Sequence, residues 1–238
     1  MDILVAAYFS VLDIDPADPR RADRDRFILS KGHGAPALFH VLGRRGFYPE
    51  SMLDEYGKNG GVFAEHPPTP SHLPGIEAAT GSLGHGLPIG LGFALAGRIN
   101  CLDYRVFVTM SDGECNEGSV WEAAMLAGAQ RIGRLCIIVD YNKWQATGRS
   151  NETMALAPLA EKFRAFGWKA IEIDGHDHAA LVAAMGERRN PDEAPLAIVA
   201  HTVKGKGVSF MEDDNNWHYR IPKPDEVMKA AVELGVTL

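Results

Sequence analysis

The chain is 238 residues long, 46% hydrophobic and 23% charged, with a formal net charge of −7 at pH 7. That is enough apolar sequence for a full core, organised as one large layered domain over residues 1–238. The acidic balance comes without blocks of like charge and without a basic amphipathic face, which argues against nucleic acid or a membrane as partner.

No apolar run reaches spanning length and residues 1–15 lack a basic n-region, so neither an anchor nor a signal peptide is expected. Three cysteines (Cys101, Cys115, Cys136) without paired spacing fit reduced thiols in a cytoplasm. From the amino end, residues 2–12 place Ile3, Leu4, Ala7, Tyr8, Val11 and Leu12 on one helical face. Asp15 to Arg26 reads as a polar surface loop. Phe27-Ile28-Leu29 is a short apolar run, and Ser30-Lys31-Gly32-His33-Gly34 is a reversal that exposes His33. A helix over 35–45 and a short one over 51–56 follow. Residues 58–74 form a loop dense in Gly and Pro that carries His66. Gly81, Gly84 and Gly86 then precede a helix from Leu87 to about Asn100. Their order is Gly-x-x-Gly-x-Gly and no strand precedes them, which excludes a dinucleotide fingerprint.

Arg105 to Met110 is an apolar β-rich run of strand length. The loop Ser111-Asp112-Gly113-Glu114-Cys115-Asn116-Glu117-Gly118 follows it, then a helical pattern from about Ser119 to Arg131, then a buried strand Leu135 to Val139 ending in Asp140. This is a βαβ unit of a parallel sheet. Asp112 and Asn142 lie just past the ends of two successive strands, so they are expected to face one crevice beyond the carboxyl edge. Gly113 lets a ligand approach the backbone, and a helix start favours an anion. A carboxylate, an amide oxygen and an anion together suit Mg²⁺ holding a diphosphate. The same residues also fit a plainer arrangement, with Asp-Gly as a turn and Asn as a helix cap.

Trp144 to Thr153 reads as a polar loop, 156–166 as a helix and 168–174 as a strand. Gly175-His176-Asp177-His178 offers a His-x-His, but no third ligand stands at metal-site spacing, and Asp177 reads as the cap of a helix over 178–188. A strand over 195–201 leads into Thr202-Val203-Lys204-Gly205-Lys206-Gly207, a basic glycine loop that suits an anion or a solvated turn. Residues 223–235 close as a helix.

The run from Ser111 to Gly148, an Asp-Gly followed by Asn at an interval of 30 residues, resembles the thiamine-diphosphate motif. Glu114, Glu117-Gly118, Trp121-Glu122-Ala123, Val139 to Lys143, Gln145 and Gly148 make it similar to transketolases, most of all to the amino-terminal subunit of the split, two-chain type. Ser30 to His33, His66-Pro67, Thr80 to Gly86, Thr202 to Gly207 and Trp217-His218-Tyr219-Arg220 extend the resemblance, in family order, over about residues 2–235.

The resemblance implies an α/β three-layer sandwich with a mostly parallel sheet, the thiamine-diphosphate-binding fold. It implies thiamine diphosphate and Mg²⁺ (or Ca²⁺) as cofactors, with Asp112, Asn142 and the carbonyl of Trp144 as metal ligands. Cofactor contacts are expected from His33, Gly81, Ser82, Leu83, Gly113, Glu114, Asn142 and His218. His33, His66 and His218 become proton carriers near the substrate, and Glu117 a buried carboxylate linking two cofactor sites across a dimer. The sequence departs from the family pattern at Ser111 for Gly, His85 for Gln and Glu65 for Gly. An amino-terminal Gly-His-Pro-Gly segment of the family is expected to be missing. The pyrimidine-binding half is expected on a C-terminal transketolase subunit, in a heterotetramer that moves a two-carbon ketol unit from a ketose (phosphate) to an aldose. Alternatives are a specialised transketolase-like chain for a modified sugar or other two-carbon donor, and a non-catalytic remnant that binds a partner.

Overall fold

A computed structural model describes residues 1–237 of the chain. The elements in order are α1 (Asp2–Ala6), β1 (Arg26–Leu29), α2 (Ala35–Arg45), α3 (Gly86–Ile99), β2 (Val106–Ser111), α4 (Gly118–Ala129) and β3 (Leu135–Tyr141). A hairpin β4 (Trp144–Gln145) and β5 (Gly148–Arg149) comes next, then α5 (Ser150–Thr153) and α6 (Leu159–Ala165). The chain finishes with β6 (Lys169–Asp174), α7 (His178–Gly186), β7 (Leu196–His201) and α8 (Pro224–Glu233).

The main sheet has the order β1-β2-β3-β7-β6, and every pairing in it is parallel. A parallel sheet is covered on both faces, so its strands are continuous apolar runs in which alternate residues serve opposite cores. Ile28, Val106, Val108 and Met110 enter the core under α3, α4 and α6, whereas Phe27, Leu29 and Phe107 enter the core under α1, α2 and α7. These two cores make the expected three layers. Small residues let α4 come close: Ala123, Ala124, Ala127 and Gly128 are buried, and the Trp168 indole donates to the Ala124 carbonyl at 2.8 Å.

Several expected boundaries shift. The helix over 2–12 splits into α1 and a wider π-type turn, Ala7–Val11, ahead of the polar loop. Residues 51–56 form a tight 3₁₀ segment, Glu50–Glu55. Ser111 belongs to β2, paired with Asp140, rather than to the loop. The stretch 144–153, expected as a polar loop, is the hairpin β4–β5 plus α5. Strands of two residues are too short to carry an alternation pattern. The Asp177 cap is as expected, its carboxylate accepting from Ala180 N at 3.0 Å. Among the described residues no helix is long and apolar enough to cross a membrane.

Candidate functional site

All five strands of the main sheet point their carboxyl ends at one cleft of about 750 Å³. Its lining includes Lys31 and His33 after β1, Ser111 and Gly113 at the end of β2, Asp140 and Asn142 at the end of β3, His176 after β6 and Lys204 after β7. Leu83, Glu117, Trp144 and His218 also line it. This is where an open parallel sheet binds ligands.

Two acids sit behind the cleft floor. Asp112 is fully buried; its Oδ1 accepts from Gly113 N at 2.9 Å, and its Oδ2 from Lys143 N at 2.9 Å and Ser150 Oγ at 2.8 Å. All three donors are neutral. Burial pushes the Asp112 carboxyl up to about 6, against the lowering effect of those hydrogen bonds, and the Asp140 charge adds to the rise. Among the described residues no ion pair engages this carboxylate, and the Lys31 charge, paired with Asp140, reaches it only from a distance. Asn142, half-buried, turns its Oδ1 onto Trp144 N at 2.9 Å, so the chain between them curls around Asp112. A carboxylate, an amide oxygen and nearby carbonyls are the hard oxygen donors that Mg²⁺ or Ca²⁺ takes. The donor set and the uncompensated charge fit such an ion. Among the described residues there is no cluster of three or more His, Cys, Asp and Glu placed to hold a metal by side chains alone, so an ion here would need backbone or ligand oxygens as well.

Glu114 turns inward instead of toward the cleft. Fully buried, it accepts from Ser30 Oγ, from Gly84 N at 3.0 Å and from Ser111 N at 2.8 Å, tying together the loops after β1, before α3 and after β2. The Cys115 thiol next to it is buried, and that burial, with the Asp112 and Glu114 charges, raises its pKa well above the usual thiol range, which makes it packing rather than a nucleophile.

The opposite wall is cationic. Lys31 is ion-paired with Asp140, whose other oxygen accepts from Thr202. Burial alone would raise Asp140, but the Lys31 cation and these hydrogen bonds outweigh it and hold the carboxyl below its usual range. Lys204 is half-buried; loss of solvent, then the Lys31 charge, pulls its pKa down. Lys206 also lines the cleft but pairs with Glu212 at 3.5 Å. Of the basic glycine loop, then, Lys204 is the cleft residue free to meet an anion, since no salt bridge engages it among the described residues.

The His33 and His218 rings lie 5.4 Å apart. Much of the His33 surface opens on the cleft, yet loss of solvent around the ring, with Lys31, His218, His66 and Lys204 nearby, lowers its pKa to about 4. His218 is lowered by the same loss of solvent and by Lys204 and Lys31. Both rings are neutral near pH 7. His66 is exposed and packs on Gly81, where a Cβ would come within 3.0 Å of its ring and where φ is +150°. Gly32 approaches the same turn so closely that a Cβ would lie 2.7 Å from Gly81 N. The glycines therefore fix how the His33, His66 and Gly81–Leu83 segments meet. Ser82 is exposed, and Leu83 presents an apolar side chain at 36% exposure to the cleft. Glu117 is exposed at the cleft edge in this chain rather than buried; burying it takes a second surface.

Sequence reasoning missed two features here. The Lys31–Asp140 pair joins residues 109 apart and follows only from β1, β2 and β3 lying side by side. His176, weighed in the sequence only as half of a His-x-His without a third ligand, lines the cleft. Its Nδ1 meets Asp2 at 2.7 Å and its Nε2 accepts from Val203 N at 2.8 Å.

A family profile described as the thiamine diphosphate binding domain of transketolase matches residues 1–237. The chain is 36% identical over 235 residues to an apulose-4-phosphate transketolase subunit of Phocaeicola vulgatus, covering 99% of this chain and 83% of that one. It is 40% identical over 231 residues to a 6-deoxy-6-sulfo-D-fructose transketolase subunit of Clostridium sp. strain MSTE9, covering 97% and 83%. Among solved structures it is similar to transketolase from Leishmania mexicana, with a TM-score of 0.87 at 26% identity; the match covers 98% of this chain but 36% of that one.

Proposed function

This chain belongs to the transketolase family, and we propose that it is the diphosphate-binding subunit of a two-chain enzyme moving a two-carbon ketol unit from a ketose to an aldose. The observation that carries the reading is Asp112: a fully buried carboxylate with neutral hydrogen-bond partners only, at the carboxyl edge of a parallel sheet, directly behind a cleft lined by Lys31, Lys204 and two neutral imidazoles. The arrangement suits a divalent cation on one side of a diphosphate and Lys204 with His33 and His218 on the other. Similar proteins named as subunits support a partner chain; in this reading it is the pyrimidine-binding C-terminal subunit, in a heterotetramer. Buried free Cys115 and Cys136 suit the reducing cytoplasm in which this reading sets it.

The residues that would hold the ion are Asp112, Asn142 and the Trp144 carbonyl. Thiamine diphosphate bound there supplies the nucleophilic carbon and the electron sink that cleavage beside a carbonyl requires. The chain's own work is placement. Glu114 locks the Ser30, Gly84 and Ser111 loops in register, which fixes Leu83 as an apolar wall and Gly113 as open backbone. His33 and His218, neutral at working pH, donate to or accept from oxygens of the substrate or the diphosphate; His66, exposed beside Gly81 and outside the cleft lining, would serve only a substrate oxygen brought to it. Glu117, open at the cleft edge, is the group to be covered when a second chain docks.

Similarity to subunits named for apulose 4-phosphate and for 6-deoxy-6-sulfo-D-fructose favours, as a second reading, a modified sugar as donor. A panel of ketose donors, plain and modified, assayed with this chain alone and with a pyrimidine-half subunit, tests both. Turnover is expected only with both chains, thiamine diphosphate and Mg²⁺. Turnover by this chain alone would contradict the two-chain reading, and the preferred donor decides between the sugars.

A further inference from the structure

Two segments that line the cleft come from distant parts of the sequence. The hairpin β4–β5 brings Trp144, Gln145, Ala146 and Thr147, and the long loop after β7 brings Lys204 at its start and His218 at its end. The exposed Asp213 side chain makes three of the hydrogen bonds that join them. The Trp144 indole donates to Asp213 Oδ1 at 2.8 Å, and the Arg149 guanidinium grips the same carboxylate through two bonds, 2.7 Å to Oδ1 and 2.6 Å to Oδ2. Arg149 also lies 3.8 Å above the centre of the Trp144 ring, so indole, guanidinium and carboxylate form one closed unit.

The backbone of Asp213 is committed as well. Its φ is +56°, a conformation that Asp tolerates better than most side chains, and its N–H donates to the Lys204 carbonyl at 2.8 Å. One residue therefore closes the 204–213 turn at the start of that loop, five residues before His218, and clips it to the hairpin. On the far side, Trp144 N donates to Asn142 Oδ1, so the fixation of the indole is passed to Asn142. Asn215 Nδ2 adds a second stitch to the Ala146 carbonyl at 3.2 Å.

We propose that Asp213 is a positioning residue that clasps the β4–β5 hairpin to the loop after β7, setting the distance between the oxygen-donor side of the cleft (Asn142, Trp144) and its cationic side (Lys204, His218). The proposal rests on the cofactor reading above. Global stability is a poor explanation for the clasp. Its ion pair is solvent-exposed, with side-chain exposures of 34% and 51%, and pairs of that kind add little to folding. What it adds is geometry, because a bidentate pair stacked on a ring allows only one arrangement of the two segments.

The test is hydrogen exchange on the full cofactor-free chain, followed by calorimetric titration with Mg²⁺ and thiamine diphosphate. The variants are Asp213→Ala and Asp213→Asn; the second keeps an acceptor for the Trp144 indole but loses the ion pair. Amides of residues 142–149 and 204–218 should exchange about tenfold faster in Asp213→Ala and by less in Asp213→Asn, with the thermal midpoint of both variants within about 2 °C of wild type. Dissociation constants should rise in the same order, about tenfold and then less. Unchanged exchange in both segments overturns the clasp. Faster exchange with cofactor affinity equal to wild type overturns its link to the cleft. If exchange quickens while the wild-type chain binds no cofactor under any condition, the clasp stands and the cofactor reading is what falls.

Discussion

The two ends of the parallel sheet each bury an aspartate and treat it in opposite ways. At the amino end, Asp25 is met by the guanidinium and backbone of Arg105, at 2.6 Å, 3.2 Å and 2.8 Å, and by Asp13 N at 3.0 Å. That charge is fully answered from within the chain. At the carboxyl end, Asp112 is buried more deeply and has only neutral donors, and Lys31 of the cleft wall is paired with Asp140 instead. A buried charge matched by an internal cation is a structural tie. A buried charge left without one is a demand on a ligand, and the difference separates scaffold from site within a single sheet.

The contrast can be pressed hardest by neutralising each aspartate. Asp112→Asn should weaken binding of Mg²⁺ with thiamine diphosphate by more than about a hundredfold in calorimetry. Its folded pKa is raised, to about 6, so the ionised form opposes folding above that pH. Removing the charge relieves that penalty but sets an amide N–H₂ against one of the backbone donors Gly113 N or Lys143 N. The two effects offset, so chemical-denaturation stability at pH 7.5 should change by only about 1 kcal/mol or less. Asp25→Ala should do the reverse. It leaves the buried Arg105 charge unanswered at a cost of about 3–5 kcal/mol, read by denaturant unfolding, while the affinity of the folded fraction for cofactor stays as in wild type. Equal stability losses in the two variants would erase the distinction.

Glu114 lies between these extremes. It is a buried acid at the site end, but it is used internally. Glu114→Gln would turn an amide N–H₂ toward one of two backbone donors, Gly84 N or Ser111 N, and should cost about 1–3 kcal/mol of stability. Cofactor affinity should fall only as far as the loops loosen. The smallest effect concerns His33. Its folded pKa, about 4, lies below that of an unfolded histidine, so the unfolded state binds more protons between about 4 and 6.5. This group's contribution should be complete above pH 6.5 and lost as pH falls toward 4. An NMR titration in which the His33 ring stays neutral at pH 5.5 would sharpen the picture; an ordinary midpoint near 6.5 would break it.

Much of this arrangement could be read from the amino-acid order, because βαβ units announce themselves in apolar runs of strand length. Asp112 and Asn142 fell past two strand ends; Asn142 lines the cleft there, while Asp112 lies buried behind it, bonded to the backbone N of Lys143. What could not be read was direction. Nothing in the string Ser111 to Gly118 tells that Glu114 turns inward while Glu117 stays exposed, since both lie in one short turn and the choice depends on Ser30 and Gly84 arriving from elsewhere. Lys31 on Asp140 and Asp213 on Arg149 escaped for the same reason: they are pairings across sequence gaps that only the sheet order and the loop after β7 create. The short hairpin 144–149 lacked any periodic signal and was legible only as polarity.

The central claim is that this chain grips a diphosphate through a cation held at Asp112. Calorimetric titration of the wild-type chain with thiamine diphosphate, with Mg²⁺ and then with the ion removed by chelator, tests it most directly. The account predicts saturable binding that needs the metal and vanishes on chelation. Binding of equal strength without the ion, or no binding with it, would contradict the account.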